Sequence, residues 1–251
     1  MKKKLLITGM SGLIGGAVHK QLEGKYELSA LNRSDVPGVK CLQADIADLD
    51  AIRPAFEGQD MVVHLAAFAK LGATWDKIHS ANVIGTYNVF EASRCTGVKR
   101  IVSASSGATI AGWEREFPYK AIAEGDYNDA PDSWDMMTHE SVTRPIGLYG
   151  ASKIWGEALA RHFTDTTDLS ILCLRIGGVN AEDKPLNTRQ NAIWCSQRDI
   201  AQLIEKCIEA PDSLKYDIFY GVSNNKRSYR DITHAREVVG FEPQDSADKF
   251  L

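Results

Sequence analysis

The 251-residue chain has no apolar run approaching the ~20 residues of a membrane-spanning helix. Its basic start, Lys2-Lys3-Lys4, is followed only by Leu5, Leu6 and Ile7 before Thr8-Gly9. That is too short for the apolar segment of a signal peptide. A cytoplasmic protein with no membrane partner is expected. Positive charge is not in excess either, since 29 Lys and Arg stand against 33 Asp and Glu, a net charge of −4. With no global basic field to collect phosphates, no nucleic-acid partner is expected. Cys41, Cys95, Cys173, Cys195 and Cys207 are odd in number and form no Cys-x-x-Cys pair, so they read as buried free thiols. The six histidines show neither His-x-His nor His-x-x-x-His spacing, and no metal site is expected. Internal repeats and low-complexity segments are lacking as well.

What is present is an ordinary globular composition, 44% hydrophobic and 25% charged, in a chain long enough for one α/β domain with a small lobe. Lys4 to Thr8, Glu27 to Leu31, Lys40 to Ala44, Met61 to Leu65, Ile101 to Ala104 and Leu169 to Leu174 read as strands. Met61-Val62-Val63-His64-Leu65 is almost continuously apolar, as expected of a strand covered on both sheet faces. Between the strands, Ile14, Val18 and Leu22 recur at spacing four. Asp48 starts a helix, Asp76 to about Thr96 is helical, and Tyr149 to Phe163 is a long helix. Alternation of strand and helix predicts a doubly wound parallel sheet. Gly112 to Arg144 breaks the rhythm with polar residues, Trp113, Tyr119, Tyr127, Trp134 and a turn-prone Asn128–Asp132. It reads as a flap beside a site or as a surface insertion.

Gly9, Gly12 and Gly15, at spacing three between the first strand and its helix, form a dinucleotide-binding loop. The first permits a tight turn, the second spares the pyrophosphate a Cβ, and the third lets helix and strand pack closely. The helix N-terminus adds free N–H groups. About 20 residues beyond Gly12, where a carboxylate would hold the ribose of NAD, the chain has Asn32-Arg33. A guanidinium attracts a 2′-phosphate, so NADP is the preferred cofactor, with NAD the alternative. Arg33 could instead stack on adenine or face solvent. Asp45 is suited to accept from the adenine amino group or to cap a helix.

Tyr149-Gly150-Ala151-Ser152-Lys153 puts a phenol and an ammonium one helical turn apart. A cation there favours the phenolate and so a general base. Ser103-Ala104-Ser105-Ser106 closes the preceding strand at the edge where α/β ligands bind. Ser106 is the first choice to hold the substrate oxygen, and Ser105 the second.

These motifs, in this order, resemble the extended short-chain dehydrogenase/reductase family, the NAD-dependent epimerases and dehydratases. They are Thr8-Gly9-x-x-Gly12-x-x-Gly15, Asp45-Ile46, His64-Leu65-Ala66-Ala67, Asn82-Val83-x-Gly85-Thr86-x-Asn88, the serine-rich strand end and Tyr149-x-x-x-Lys153. Ser105-Ser106-x-x-Thr109-Ile110, Leu174-Arg175-Ile176-Gly177, Trp194-x-Ser196-x-Arg198-Asp199, Tyr220-Gly221-Val222-Ser223 and Gly240-Phe241-x-Pro243-Gln244-Asp245 are similar to the branch of uronate dehydrogenase and archaeal glucose-6-phosphate dehydrogenase. The resemblance implies one Rossmann-like domain over residues 1–251, its substrate lobe contributed mainly by 112–144 and 177–251. It implies hydride transfer between the nicotinamide and a sugar-like hydroxyl, as in oxidation of an aldose, uronate or sugar phosphate at C1. Tyr149 would be the base, Lys153 its tuner and the nicotinamide-ribose anchor, and Ser106 the orienter. Leu13, Ile14, Ile46, Leu65, Ala66, Ala67, Asn82 and Ile176 would join the cofactor contacts. Arg175 would face a substrate anion, or else cap its strand in an ion pair. Relatives form a homodimer through the helices around 76–96 and 149–163, and one is expected here.

One departure is local. The branch usually has Asn-His after the second serine, and this chain has Gly107-Ala108, which predicts a larger and drier pocket beside the nicotinamide. Two other functions share the cofactor motifs. A nucleotide-sugar epimerase needs a lobe for a nucleotide diphosphate, for which the chain after Lys153 leaves little room. A non-catalytic NADP sensor would have no use for the retained tyrosine and lysine.

Overall fold

The computed structural model describes residues 2–69 and 72–251. Seven strands, β1 (Lys4–Thr8), β2 (Glu27–Asn32), β3 (Lys40–Gln43), β4 (Met61–His64), β5 (Arg100–Ser106), β6 (Ser170–Ile176) and β7 (Tyr216–Gly221), form one sheet in the order β3-β2-β1-β4-β5-β6-β7. Every pairing is parallel. The inner strands β1, β4, β5 and β6 are largely apolar on both faces because helices cover both. Leu5, Ile7, Val63, Val102 and Leu174 point into one core, Leu6, Val62, Ile101 and Ile171 into the other. Helix α1 (Leu13–Leu22) and the crossover helix α8 (Gln197–Glu209) pack together. Across the sheet, the short α2 (Leu49–Ile52) and α4 (Gly85–Thr96) pack together, and α4 lies against α6 (Gly147–Thr166).

Two elements differ from the sequence expectation in a way that shapes the site. The helix expected over 76–96 is α3 (Trp75–Ile78), a wide π-helical stretch over His79–Ile84, and α4 in succession. Such local widenings concentrate at functional sites because they reorient single side chains. The region 177–251, expected with 112–144 to contribute most of a lobe, also returns to the sheet through α8 and β7. Its remaining pieces are α7 (Gln190–Ile193), α9 (Thr233–Val239) and irregular chain. These pack on residues 112–144, which contain α5 (Tyr119–Glu124). Trp134 Nε1 donates to Ser228 O at 3.1 Å, and Met137 forms a bridge with Arg230. This anchoring ties 112–144 to the C-terminal segments, so it is not a free flap. Among the cysteines, Cys173, Cys195 and Cys207 are buried, but Cys95 is exposed and Cys41 half-buried. All five are free, and no helix among the described residues is long and apolar enough to cross a membrane.

Candidate active site

The order of the sheet reverses at β1, because β2 and β3 extend to one side and β4 onward to the other. A crevice opens at this switch point, beyond the carboxyl ends of the strands. It holds a cleft of about 600 Å³ lined by Gly9, Ser11 and Gly12, by Leu31 to Ser34, by Ala44 to Ile46, and by Leu65 to Phe68 with Ala81. Gly9 has φ +74°, and a Cβ there would sit 2.9 Å from Ala66 N, so both the turn and the neighbouring chain require glycine. Gly15 lies under the same turn, where a Cβ would press on Gly9 O. The side chain of Leu13 faces solvent and Ile14 packs inward, so these residues offer the cleft their first-turn N–H groups, not their side chains.

The walls are fixed by buried hydrogen bonds. Thr8 Oγ1 accepts from Ala66 N at 3.2 Å, which leaves its proton for His64 Nδ1 at 2.8 Å. Burial, with the charge of Lys153 adding to it, lowers the pKa of His64 to about 3, so the ring is neutral and pins Leu65-Ala66-Ala67. Asn82, in the π-helical turn, accepts from Phe68 N at 2.7 Å and donates to Phe68 O and to Ser152 Oγ. It therefore braces the cleft from behind rather than lining it, a correction to the expected direct contact. Asp45 lines the cleft and accepts from Ala47 N; the cap of α2 is Asp48, accepting from Ala51 N at 3.1 Å.

Asn32 carries the most informative polar group here. It is buried, lines the cleft, and neither amide atom has a hydrogen-bond partner among the described residues. A buried amide without partners is unfavourable by ~1–3 kcal/mol unless something in the cleft satisfies it. Arg33 and Ser34 follow it on the exposed rim. A dinucleotide fits this set: a glycine turn and helix N-terminus for the pyrophosphate, an unsatisfied amide for ribose oxygens, and an acceptor at Asp45 for adenine.

Phe68 lines this cleft and Ala69 the next, a cavity of about 520 Å³ that holds Ser106, Tyr149 and Ile176. Ile176 thus belongs to the catalytic cavity. Helix α6 begins at Gly147, two residues before Tyr149, and carries the phenol and Lys153 on one side. The Lys153 ammonium is buried, donates to Ala104 O at 2.7 Å and lies 5.7 Å from the Tyr149 ring centre. Its burial lowers its pKa to about 8. Burial raises the Tyr149 phenol above its ordinary value, and a hydrogen bond with Ser106 pulls it back. Ser106 Oγ accepts from Ala108 N at 3.1 Å, so the hydroxyl keeps its proton to donate.

Ser105 and Arg175 point the other way. They face each other in the β5–β6 register, one residue out of phase with Ser106 and Ile176. Ser105 Oγ donates to Glu157 at 2.6 Å, and Arg175 binds the same carboxylate through two bonds of 2.9 Å. Burial works against the Arg175 charge, but Glu157 outweighs it and holds the group protonated well above its ordinary value. Both are buried and neither lines the cavity: Ser105 is held by Glu157, and Arg175 takes the ion-pair alternative rather than facing the cavity. The arginines that line it are Arg189 and Arg230. Neither stands in a motif, and only folding brings them to Tyr149. The expected dry pocket is overturned too: a Cβ on Gly107 would overlap the Arg230 guanidinium, so a cation fills the room left by the small residue.

His139, Asp217 and His234 come within 4.8 Å of one another, which their spacing in sequence conceals. The two rings are stacked, 3.7 Å apart and 11° from parallel, and His234 Nε2 is 2.8 Å from Asp217 Oδ1. Parallel rings send their in-plane lone pairs side by side rather than to one point, so the cluster reads as packing.

The family described as "NAD dependent epimerase/dehydratase family" matches residues 5–241. The NAD-dependent glucose-6-phosphate dehydrogenase of Haloferax volcanii is 32% identical, with 100% of this chain and 96% of that protein covered. Uronate dehydrogenase of Agrobacterium fabrum is 34% identical over 99% of this chain and 87% of its own length. A solved mutant of uronate dehydrogenase from Agrobacterium tumefaciens, complexed with NAD, superposes with a TM-score of 0.84 at 32% identity, covering 99% of this chain and 87% of that one.

Proposed function

From the premise that the chain belongs to the NAD-dependent epimerase/dehydratase family and is an oxidoreductase, we propose that it oxidises the C1 hydroxyl of a cyclic sugar to a lactone. The carrying observation is that Ser106 and Tyr149 line a cavity adjoining the glycine-turn cleft, with the buried Lys153 ammonium behind them, 5.7 Å from the Tyr149 ring centre. Oxidised nicotinamide, when bound, supplies the hydride acceptor and a positive charge. Ser106 donates to the substrate oxygen and Tyr149 takes its proton. One Lys153 proton is held by Ala104 O, so the ammonium is fixed with two donors left to steady the phenolate and hold ribose hydroxyls. Arg33 on the cleft rim supports NADP over NAD, and the unsatisfied Asn32 is compatible with either. Residues 112–144 and the irregular parts of 177–251 serve as the substrate lobe. Tyr87 and Trp155, large, apolar and exposed on α4 and α6, support a homodimer through these helices. The buried free thiols support a reducing, cytoplasmic setting.

The test is cofactor reduction at 340 nm with aldoses, uronates, sugar phosphates and simple alcohols, using NAD and NADP in parallel. Sugar-dependent turnover, with a lower KM for NADP, is expected. Tyr149→Phe should lower kcat by ~10²–10⁴-fold while cofactor affinity is kept. Turnover that survives this substitution refutes the role of Tyr149, and a lower KM for NAD refutes the reading of Arg33.

A further inference from the structure

Arg230 is 1% exposed, yet its Nε and Nη1 have no acceptor among the described residues, and Nη2 lies 3.8 Å from Glu114 Oε1. Glu114 is already engaged. It accepts from Arg189 through both oxygens and from the Tyr229 hydroxyl at 2.6 Å. One carboxylate therefore faces two guanidinium groups. Among the described residues, Arg189 and Arg230 are the only charged side chains that line the catalytic cavity. The two guanidinium groups thus exceed the one carboxylate by a positive charge, and the Arg230 member is shielded from water, where a charge interacts most strongly.

The placement is built rather than incidental. Met137 N donates to Tyr229 O at 2.7 Å, Asp231 N to Met137 O at 2.9 Å, and Arg230 N to Ser228 Oγ at 3.1 Å, so the backbone on both sides of Arg230 is tied down. Its guanidinium occupies the space a Cβ of residue 107 would need, directly after the catalytic serine. The Asn-His of the resembling branch and a guanidinium at this spot exclude each other.

We propose that Gly107 and Arg230 are a matched pair that places an oxyanion-recognising subsite beside the reacting carbon, selecting a sugar that carries a carboxylate or phosphate. Gly107 is the vacancy and Arg230 the ligand group. This rests on reading the cavity as the substrate site of a dehydrogenase.

The experiment compares matched sugars, glucuronate with glucose, galacturonate with galactose, and glucose 6-phosphate with both. Binding of inorganic phosphate is followed separately by thermal shift. Arg230→Met should lower kcat/KM for the anionic members ~100-fold, mainly through KM. The neutral members should stay within about threefold, and phosphate binding should weaken at least tenfold. Arg230→Lys, which keeps the charge, should retain the anionic preference and guards against a folding defect. Gly107→Asn should expel the guanidinium and cost the anionic substrates as much. Gly107→Asn with Arg230→Met should exceed either single variant on neutral aldoses. Equal losses for anionic and neutral sugars, or unchanged phosphate binding, overturn the pair. If phosphate binding depends on Arg230 while no sugar reduces either cofactor, the subsite stands and the dehydrogenase reading falls.

Discussion

Lys153 is held in an environment that does not suit its charge. Its ammonium is buried, with Ala104 O as its one hydrogen-bond acceptor among the described residues, and burial lowers its pKa from 10.5 to about 8. In the unfolded chain the amine keeps its proton to about pH 10.4, so between pH 8 and there the unfolded state binds more protons and stability rises with pH. Below pH 8 the penalty is present in full. Lys153→Met should therefore stabilise the fold at pH 7 by on the order of 1–3 kcal/mol, seen as a higher midpoint in chemical denaturation. The gain should shrink toward pH 10, and turnover should fall by ~100-fold or more. A variant less stable than the parent at pH 7 would show that the ammonium helps hold the fold.

The π-helical turn between α3 and α4 braces the cleft wall. Asn82 spans from Phe68 to Ser152 and so couples the cleft wall to α6. Asn82→Ala leaves the Phe68 N–H without its partner, which should destabilise by ~1–3 kcal/mol and raise the KM for the dinucleotide several-fold, with a smaller change in kcat. An unchanged KM in steady-state kinetics would mean the wall holds without it. Elements of this kind divide by what makes them visible in sequence. Strands β1, β2, β4 and β6 are legible because burial on both faces leaves short apolar runs between helices. Helix α8 has its own signal, Ile200, Leu203, Ile204, Cys207 and Ile208 on one side, but nothing local says that it docks on α1 and delivers β7 to the sheet edge. The π-helical turn has no signal, since the apolar spacing of 76–96 fits an ordinary helix.

Across the whole molecule, the cofactor cleft was legible because its glycines, strand end and catalytic helix are local motifs that a parallel sheet must bring together. The substrate cavity was not. Arg189, Arg230 and Glu114 come from separate irregular segments, and strand phase alone turns Arg175 away from the site while Ser106 faces it. The core has a price in pH range that follows from His64, buried between Thr8 and Thr86 at the centre of the sheet. Its folded-state pKa is about 3 against 6.5 unfolded, so between these values the unfolded chain binds more protons. Stability from this ring is complete above pH 6.5 and is lost as pH falls, by up to about 1.4 kcal/mol per pH unit down to pH 3. Protonation would also place a second cation near Lys153 and break the acceptor role of Nδ1 toward Thr8. Urea denaturation from pH 8 to pH 4 should show the midpoint falling steadily below pH 6.5. His64→Gln should be less stable at pH 8 yet show a shallower acid slope. If the two slopes coincide, other groups govern acid unfolding and the ring is not the titrating centre of the fold.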